Sequence, residues 1–154
     1  MGKREDIGSW LEGPARPADA GAYPGADLGL PENGPGALAP MGRRVVALLI
    51  DGVLSQLIAM GLLGYTQGAG GVGSFKPLLV VFLLNALMIG TGGYTVGQRL
   101  LGLRVERCPT GYAGPRRALV RSALLCLGIP PLIMNRDGRG LHDRLADTVI
   151  VRSR

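Results

Sequence analysis

Two long runs of apolar residues dominate the pattern along this 154-residue chain. The first covers residues 45–64 with one charged residue, Asp51, and the second covers residues 77–97 with none. A helix of about 20 residues crosses a bilayer core of about 30 Å, so both runs have the required length. The rest of the chain offers too little apolar material to bury two such helices in a soluble core. The pattern therefore predicts an α-helical integral membrane protein with an antiparallel transmembrane hairpin.

A third apolar segment, residues 118–134, is interrupted by Arg121 and by Pro130-Pro131. Its part without a charged residue, residues 122–134, has 13 residues, which is short for a span. We expect a third, short apolar helix that is either re-entrant or lies at the membrane interface. A third crossing of the membrane is the alternative.

Two strand-like segments flank this third apolar segment. Residues 101–107 and 148–152 alternate in polarity or are rich in β-branched residues, as strands are. Turn signals occur at residues 109–111 and 137–140. We expect the two segments to pair as a small two-stranded element on the cytoplasmic side of the membrane.

The first forty residues have a different composition. Glycine and proline occupy 14 of the 40 positions, and six acidic against three basic residues give a net charge of −3. Such a segment buries too little apolar surface to fold by itself. The sequence therefore predicts a disordered, acidic, cytoplasmic tail over residues 1–40 and a membrane domain over residues 41–154.

Basic residues are concentrated in residues 41–154, which hold fourteen Lys or Arg and five acidic residues. A pI near 10 is typical of nucleic-acid-binding proteins, but the long uncharged runs exclude that class. Arg43 and Arg44 precede the first span, and five arginines follow the second: Arg99, Arg104, Arg107, Arg116 and Arg117. The loop between the spans holds only one charged residue, Lys76. The positive-inside rule predicts a multi-pass protein of the cell membrane with both termini in the cytoplasm, and the arginines also suit anionic lipid headgroups.

Catalytic and metal-binding patterns are sparse. Two cysteines and one histidine are too few for a His/Cys metal cluster, so neither a metal nor a cofactor is expected. A G-x-G-x-x-G match at residues 68–73 falls in the loop between the spans, and no strand precedes it. His142 and Asp143 are adjacent, but no nucleophile motif such as G-x-S-x-G accompanies them. No enzymatic activity is predicted.

Three motifs over residues 41–153 resemble the RDD family of membrane proteins. They are Arg44-Val-Val-Ala-Leu-Leu-Ile-Asp51, Thr95-Val-Gly-Gln-Arg-Leu-Leu-Gly-Leu-Arg-Val105 and Leu141-His-Asp-Arg-Leu-Ala-Asp-Thr148. The second is similar to the family's Thr-Pro-Gly-Lys-x-x-x-Gly-Leu-x-Val, with Val96 in place of the proline and Gln98 in place of the lysine. The resemblance implies that the arginine and two aspartates that name the family are Arg44, Asp51 and Asp143. It also implies an undefined function, with ligand transport suggested and cation/proton antiport proposed for some members.

Asp51 is the candidate functional residue, because an ionised carboxylate inside a span costs about 2.5–3.5 kcal/mol and therefore faces protein or water. Helix geometry places Thr91 of the second span at a similar depth, and Arg121 supplies a compensating charge. Two roles stay open, a proton or cation site and a structural contact between the hairpin and the third segment. The scarcity of other ionisable groups in the spans favours the structural role. Asp143 is expected in a cytoplasmic turn, bound by a nearby arginine.

Small residues on both spans, such as Gly52 on the first and Gly93 and Gly97 on the second, permit close helix approach within one chain or in a homo-oligomer. A chain of this length has little room to enclose a transport pathway. We therefore predict a membrane scaffold or accessory module, whose partners are the lipid bilayer and either another membrane protein or a second copy. The alternative is an oligomeric transporter or cation/proton-coupled carrier that uses Asp51.

Overall fold

The computed structural model describes residues 23–68, 70–108, 111–127 and 139–154. These residues form mostly helices, together with two strands. The helices are α1 (Met41–Leu63), α2 (Lys76–Gly92), α3 (Val96–Leu100), α4 (Gly114–Cys126) and α5 (Leu141–Leu145). The strands are β1 (Leu103–Arg107) and β2 (Thr148–Arg152), and short 3₁₀ helices lie at Ala26–Leu28 and Gly71–Phe75.

Two helical stretches, Met41–Leu63 and Gly71–Gly92, are long and apolar enough to cross a membrane. Only 22% and 17% of their most apolar windows are buried within the chain. Large apolar side chains therefore point outward; Leu57 is 61% exposed and Leu87 is 63% exposed. The core helix of a soluble protein would bury such residues, whereas lipid covers them in a membrane. The two predicted spans are thus present as helices with lipid-compatible surfaces.

Glycine residues end both α1 and α2. Gly64 ends α1 with φ 58° and Gly93 ends α2 with φ 76°, a left-handed conformation that glycine adopts without steric cost. Lys76 Nζ donates a 2.7 Å hydrogen bond to the carbonyl oxygen of Leu63, which ties the start of α2 to the end of α1. We call this end of the hairpin, where α1 ends and α2 begins, the loop end. The second span was predicted to reach residue 97, and this was wrong because the turn at Gly93 stops the helix.

The opposite end of the hairpin, which we call the sheet end, carries β1 and β2. The strands lie within the two strand-like segments of the sequence, although β1 begins at Leu103 rather than at residue 101. They pair antiparallel, with Leu103 opposite Arg152 and Arg107 opposite Thr148. The sheet is attached directly to α2, because Val105 N donates a 2.6 Å hydrogen bond to the carbonyl oxygen of Gly93. A small core at this end joins the sheet to the helices; its members are Ala39, Ala47, Ile89, Leu103, Val105, Ala113, Ala118 and Ile150.

Part of the predicted disordered tail is ordered against β2. Ala39 N donates to the carbonyl oxygen of Ile150 at 2.9 Å, and Arg152 N donates to that of Ala37 at 2.8 Å. Leu30 is buried with the β2 residues Val149 and Val151. The expectation of disorder is therefore wrong for this stretch, which gains backbone partners from the edge of β2. Residues 1–22 of the predicted tail lie outside the described residues.

The predicted third apolar helix is represented by α4, which begins at Gly114, earlier than expected, and ends at Cys126. Proline in its first turn suits a helix start, where the missing N–H needs no partner. The helix buries Ala118, Arg121 and Ser122. Residues 128–134 of the predicted segment lie outside the described residues.

Candidate functional site: a buried polar cluster at the sheet end

Asp51 of α1 is bonded by the turn that follows α2. Thr95 Oγ1 donates a 2.5 Å hydrogen bond to Asp51 Oδ2, and the backbone N–H of Gly97 donates a 2.8 Å hydrogen bond to Asp51 Oδ1. Only 8% of the Asp51 surface is exposed. Both carboxylate oxygens therefore have a donor from the same short segment, and the carboxylate joins α1 to α3.

The position of Thr95 follows from its role as the N-cap of α3. Its Oγ1 accepts a 3.3 Å hydrogen bond from Gln98 N, while Gln98 Oε1 accepts a 3.0 Å hydrogen bond from Thr95 N. This reciprocal pair is a capping box, which satisfies two backbone donors at a helix start. Because the Thr95 hydroxyl accepts from Gln98, its proton is directed to Asp51. The cap and the intramembrane carboxylate thus form one hydrogen-bonded chain.

Gly97 allows α3 to lie directly against the backbone of α1. A Cβ atom at this position would sit 2.3 Å from the carbonyl oxygen of Ala47 and 3.0 Å from its Cα. No side chain fits that space, so only glycine permits the approach. Ala47 is one helical turn before Asp51, and the close approach brings the Gly97 N–H within reach of the carboxylate.

A second set of polar residues surrounds Asp143 of α5. Arg121 Nη1 forms an ion pair with Asp143 Oδ1, and both side chains are almost completely buried. Thr148 Oγ1 donates to Asp143 Oδ1 at 3.2 Å, and Arg139 Nη2 donates to the carbonyl oxygen of Thr148 at 2.8 Å. These bonds connect α4, α5 and the start of β2. The prediction that a nearby arginine binds Asp143 agrees with this geometry.

His142 completes this set from a buried position. Its Nε2 lies 3.6 Å from Asp143 Oδ2. Burial, and then the positive charges of Arg121 and Arg44, lower the pKa of His142 to about 3. Asp143 does not offset this lowering, because its carboxylate is paired with Arg121. The imidazole of His142 is therefore neutral at neutral pH.

The two sets of polar residues meet at a cavity of about 20 Å³. This volume is enough for one water molecule. The polar residues around the cavity, which we call the polar cluster, are Arg44, Asp51, Gln98, Arg121, His142 and Asp143. Arg44 also reaches β2, because its Nη2 donates to the carbonyl oxygen of Ile150 at 3.4 Å. The cluster therefore brings together side chains from α1, α3, α4 and α5.

Four of the five site residues predicted from the sequence lie in the polar cluster: Arg44, Asp51, Arg121 and Asp143. Thr91 does not, because its Oγ1 donates to the carbonyl oxygen of Leu87 in its own helix at 2.7 Å. The depth comparison that favoured Thr91 assumed one continuous helix to Gly97. Since α2 ends at Gly92, the chain reverses and presents Thr95 instead. The Thr-x-x-Gln spacing of residues 95–98 is the signal that would have found this residue.

The described residues contain no group of three or more His, Cys, Asp or Glu side chains that could hold a metal ion. The charged side chains of the polar cluster are instead bonded within the protein: Arg121 pairs with Asp143, and Asp51 accepts hydrogen bonds from Thr95 and Gly97. As it stands, the arrangement fixes four helices relative to one another and encloses space for one water molecule.

Two apolar helices with outward-facing aliphatic side chains, joined at one end by a small sheet and a buried ion pair, define a small α-helical membrane protein. The family model of the RDD family matches residues 38–147. The chain belongs to the RDD family, a family of membrane proteins, as the three sequence motifs indicated. No curated protein and no solved structure is significantly similar to the chain.

Proposed function

We propose that this chain is a non-transporting membrane module, a scaffold or accessory subunit, in which the polar cluster holds the sheet end against the two spans. The main support for the proposal is the pair of hydrogen bonds to Asp51, whose two carboxylate oxygens accept them from Thr95 Oγ1 and Gly97 N. A carboxylate that binds and releases a cation must exchange its ligands. Here its donors belong to a capped helix start packed on α1, so exchange would require α3 to move.

The distribution of exposed arginines supports a cell-membrane location with the sheet end in the cytoplasm. Among the described residues, the exposed arginines lie at or near the sheet end, whereas the loop end carries Lys76; they are Arg43, Arg99, Arg104, Arg107, Arg116, Arg144 and Arg154. Positive charge flanking the spans is retained on the cytoplasmic side. In the proposed orientation the same arginines face the anionic lipids of that leaflet, each contributing about 1 kcal/mol of attraction. The N-terminus then lies in the cytoplasm as well.

A second candidate function is a cation- or proton-coupled carrier. The observation that favours it is the convergence of two carboxylates and two guanidinium groups on one cavity, since ionisable groups at membrane depth often mark ion pathways. The enclosed volume of about 20 Å³ accommodates one water molecule, so a pathway would require several copies of the chain or a large movement. We therefore place the carrier second.

Proton flux in reconstituted vesicles distinguishes the two functions. The full-length protein is incorporated into vesicles that contain a pH-sensitive dye, and an inward Na⁺ or K⁺ gradient is applied. We expect wild type and Asp51→Asn to give the flux of protein-free vesicles. Cation-driven flux from wild type that is lost in Asp51→Asn would overturn the proposed module and establish the carrier.

Two folding controls accompany this assay. Asparagine retains an acceptor for the Gly97 N–H and a donor for the Thr95 hydroxyl, but it removes a charge that balances a buried arginine. The folded yield of Asp51→Asn should therefore lie between those of wild type and Asp51→Leu. Asp51→Leu leaves the Gly97 N–H without a partner, which costs about 1–3 kcal/mol, so its folded yield should fall. The oligomeric state in nanodiscs is measured in parallel, and a strict monomer would argue further against a carrier.

A further inference from the structure

We infer that α4 is part of a re-entrant membrane element: α4 enters the bilayer from the sheet end beside α2 and faces lipid along one side, and by Arg139 the chain is again at the sheet end. The lipid-contacting surface consists of Leu119, Val120 and Leu127. This inference does not depend on the proposed function, because it concerns how the segment is placed and what covers its outer face.

Contacts at both ends of α4 place it along the length of α2. At the sheet end, a methyl group placed on Gly90 would lie 3.4 Å from Cα of Pro115 and 3.7 Å from Cβ of Ala118. At the loop end, Cys126 Sγ lies 3.7 Å from the carbonyl oxygen of Leu78, to which it donates. From Pro115 to Cys126 a helix rises by about 16 Å, close to the rise of about 18 Å from Leu78 to Gly90. The helix α4 therefore occupies the same depth as α2.

The outward face of α4 has the composition of a lipid-facing surface. Leu119 and Val120 are each 48% exposed and Leu127 is 77% exposed. This face continues the apolar surface of the neighbouring α2, where Leu83 is 46% and Leu87 is 63% exposed. An exposed apolar surface that is continuous with a membrane span is covered by acyl chains rather than by water.

The polar residues of α4 are arranged as a membrane-inserted helix requires. Arg116 and Arg117 lie in its first turns, at the sheet end, where arginine side chains reach the headgroup region. Ser122 Oγ donates to the carbonyl oxygen of Ala118 at 2.7 Å, so its hydroxyl needs no other partner. Arg121 is 2% exposed and its guanidinium pairs with Asp143, away from the outward face. Side chains on a helix lean toward its N-terminus, which carries this head group toward the sheet end.

The sheet shows that the chain returns to the side on which it entered. Strand β1 precedes α4 and β2 follows it, and the two strands pair over their full length. A third crossing would put them on opposite sides of the membrane, where they could not pair. By Arg139 the chain is back at the sheet, since Arg139 Nη2 donates to the carbonyl oxygen of Thr148 at 2.8 Å. Twelve residue steps separate Leu127 from Arg139, and a fully extended chain of that length spans up to about 40 Å. Because α4 is about 20 Å long, these residues are sufficient for the chain to return to the sheet end.

Cysteine accessibility tests whether the segment returns. In a Cys108→Ser/Cys126→Ser background, single cysteines are placed before the segment (Arg104→Cys), after it (Arg144→Cys) and in the loop (Val72→Cys), all at exposed positions. An impermeant maleimide is applied to vesicles of each orientation. We expect positions 104 and 144 to react from one side and position 72 from the other. Reaction of position 144 from the same side as position 72 would establish a third crossing and overturn the inference.

Depth measurements separate a re-entrant helix from one lying on the membrane surface. Nitroxide labels are attached through single cysteines at positions 120 and 127 in nanodiscs, with position 104 as the water-exposed control. We expect both α4 labels to be accessible to oxygen and protected from a water-soluble nickel complex. Their depths should differ by about 10 Å, the rise of seven helical residues. Equal depths, or nickel access like that at position 104, would overturn the inference.

Discussion

Replacing Gly97 with alanine tests whether the contact between α1 and α3 holds the polar cluster together. The added Cβ would lie 2.3 Å from the carbonyl oxygen of Ala47. Carbon and oxygen atoms in close contact are ordinarily about 3.3 Å apart or more, so α3 must shift by about 1 Å. Ala47 lies within a helix and its backbone cannot rotate away, so the displacement falls on α3.

The expected cost follows from what this displacement breaks. The hydrogen bond from Gly97 N to Asp51 Oδ1 is 2.8 Å long, and a shift of that size takes it beyond hydrogen-bonding distance. Hydrogen bonds to charged groups contribute about 1.5–3 kcal/mol. Overpacking of a well-packed contact adds about 1–3 kcal/mol. We therefore expect Gly97→Ala to lower the free energy of unfolding by roughly 3–5 kcal/mol.

Gly52→Ala is the matched control, because Gly52 follows Asp51 directly in α1 and nothing lies within 4 Å of its Cβ position. Alanine is favoured over glycine in helices by about 0.8–1.0 kcal/mol, so this variant should be as stable as wild type or more stable. Stability is measured in detergent by circular dichroism and by the reactivity of Cys108 and Cys126 with a thiol dye during heating. Equal melting of the two glycine variants would refute the reasoning.

Three further changes probe the polar cluster by the same melting assay. Thr95→Val should lower the free energy of unfolding by about 1–3 kcal/mol, because it removes both the hydrogen bond to Asp51 and the N-cap of α3. Thr95→Ser keeps the hydroxyl and should melt near wild type. Equal loss of stability in both variants would contradict the role of the hydroxyl. Arg121→Met and Asp143→Asn should each lower the free energy of unfolding by about 3–5 kcal/mol, because each leaves its partner buried and unpaired. The double variant should lose less than the sum of the two, and additive losses would contradict the ion pair. His142 has a pKa of about 3 when folded and an ordinary value of 6.5. Between these values the unfolded chain binds the proton, so stability should fall as the pH is lowered from 6.5, by at most about 1.4 kcal/mol per pH unit. The slope should be shallower in His142→Gln, and an equal slope would contradict this assignment.

The features predicted well from the sequence are those encoded by side-chain patterns. Hydropathy located both spans, because a helix that faces lipid needs a long run of apolar residues. Alternation or β-branched residues located β1 and β2. The family motifs identified Arg44 and Asp51 in α1 and Asp143, which is far from both in sequence. Their convergence could not be derived from spacing, since it depends on the positions of α4 and α5.

The features missed from the sequence depend on backbone conformation and backbone hydrogen bonds. The apolar run continues through Gly93 without a charge, so hydropathy does not register the left-handed turn that ends α2. The ordered stretch before α1 is held through Ala37 O and Ala39 N, whose bonds to β2 are independent of side-chain type. A glycine- and proline-rich composition therefore suggested disorder for residues whose partners are main-chain groups.

Charge balance gives a further argument about the role of the polar cluster. The charged side chains around the cavity are two guanidinium groups, Arg44 and Arg121, and two carboxylates, Asp51 and Asp143, while His142 is neutral at neutral pH. With both aspartates ionised the cluster has no net charge, so a bound cation or an added proton would leave an uncompensated positive charge in a buried site. A carrier built on this cluster would have to displace one arginine in each cycle. Buried ion pairs of this kind are costly to break singly, which suits a permanent structural contact better than a site that must open repeatedly.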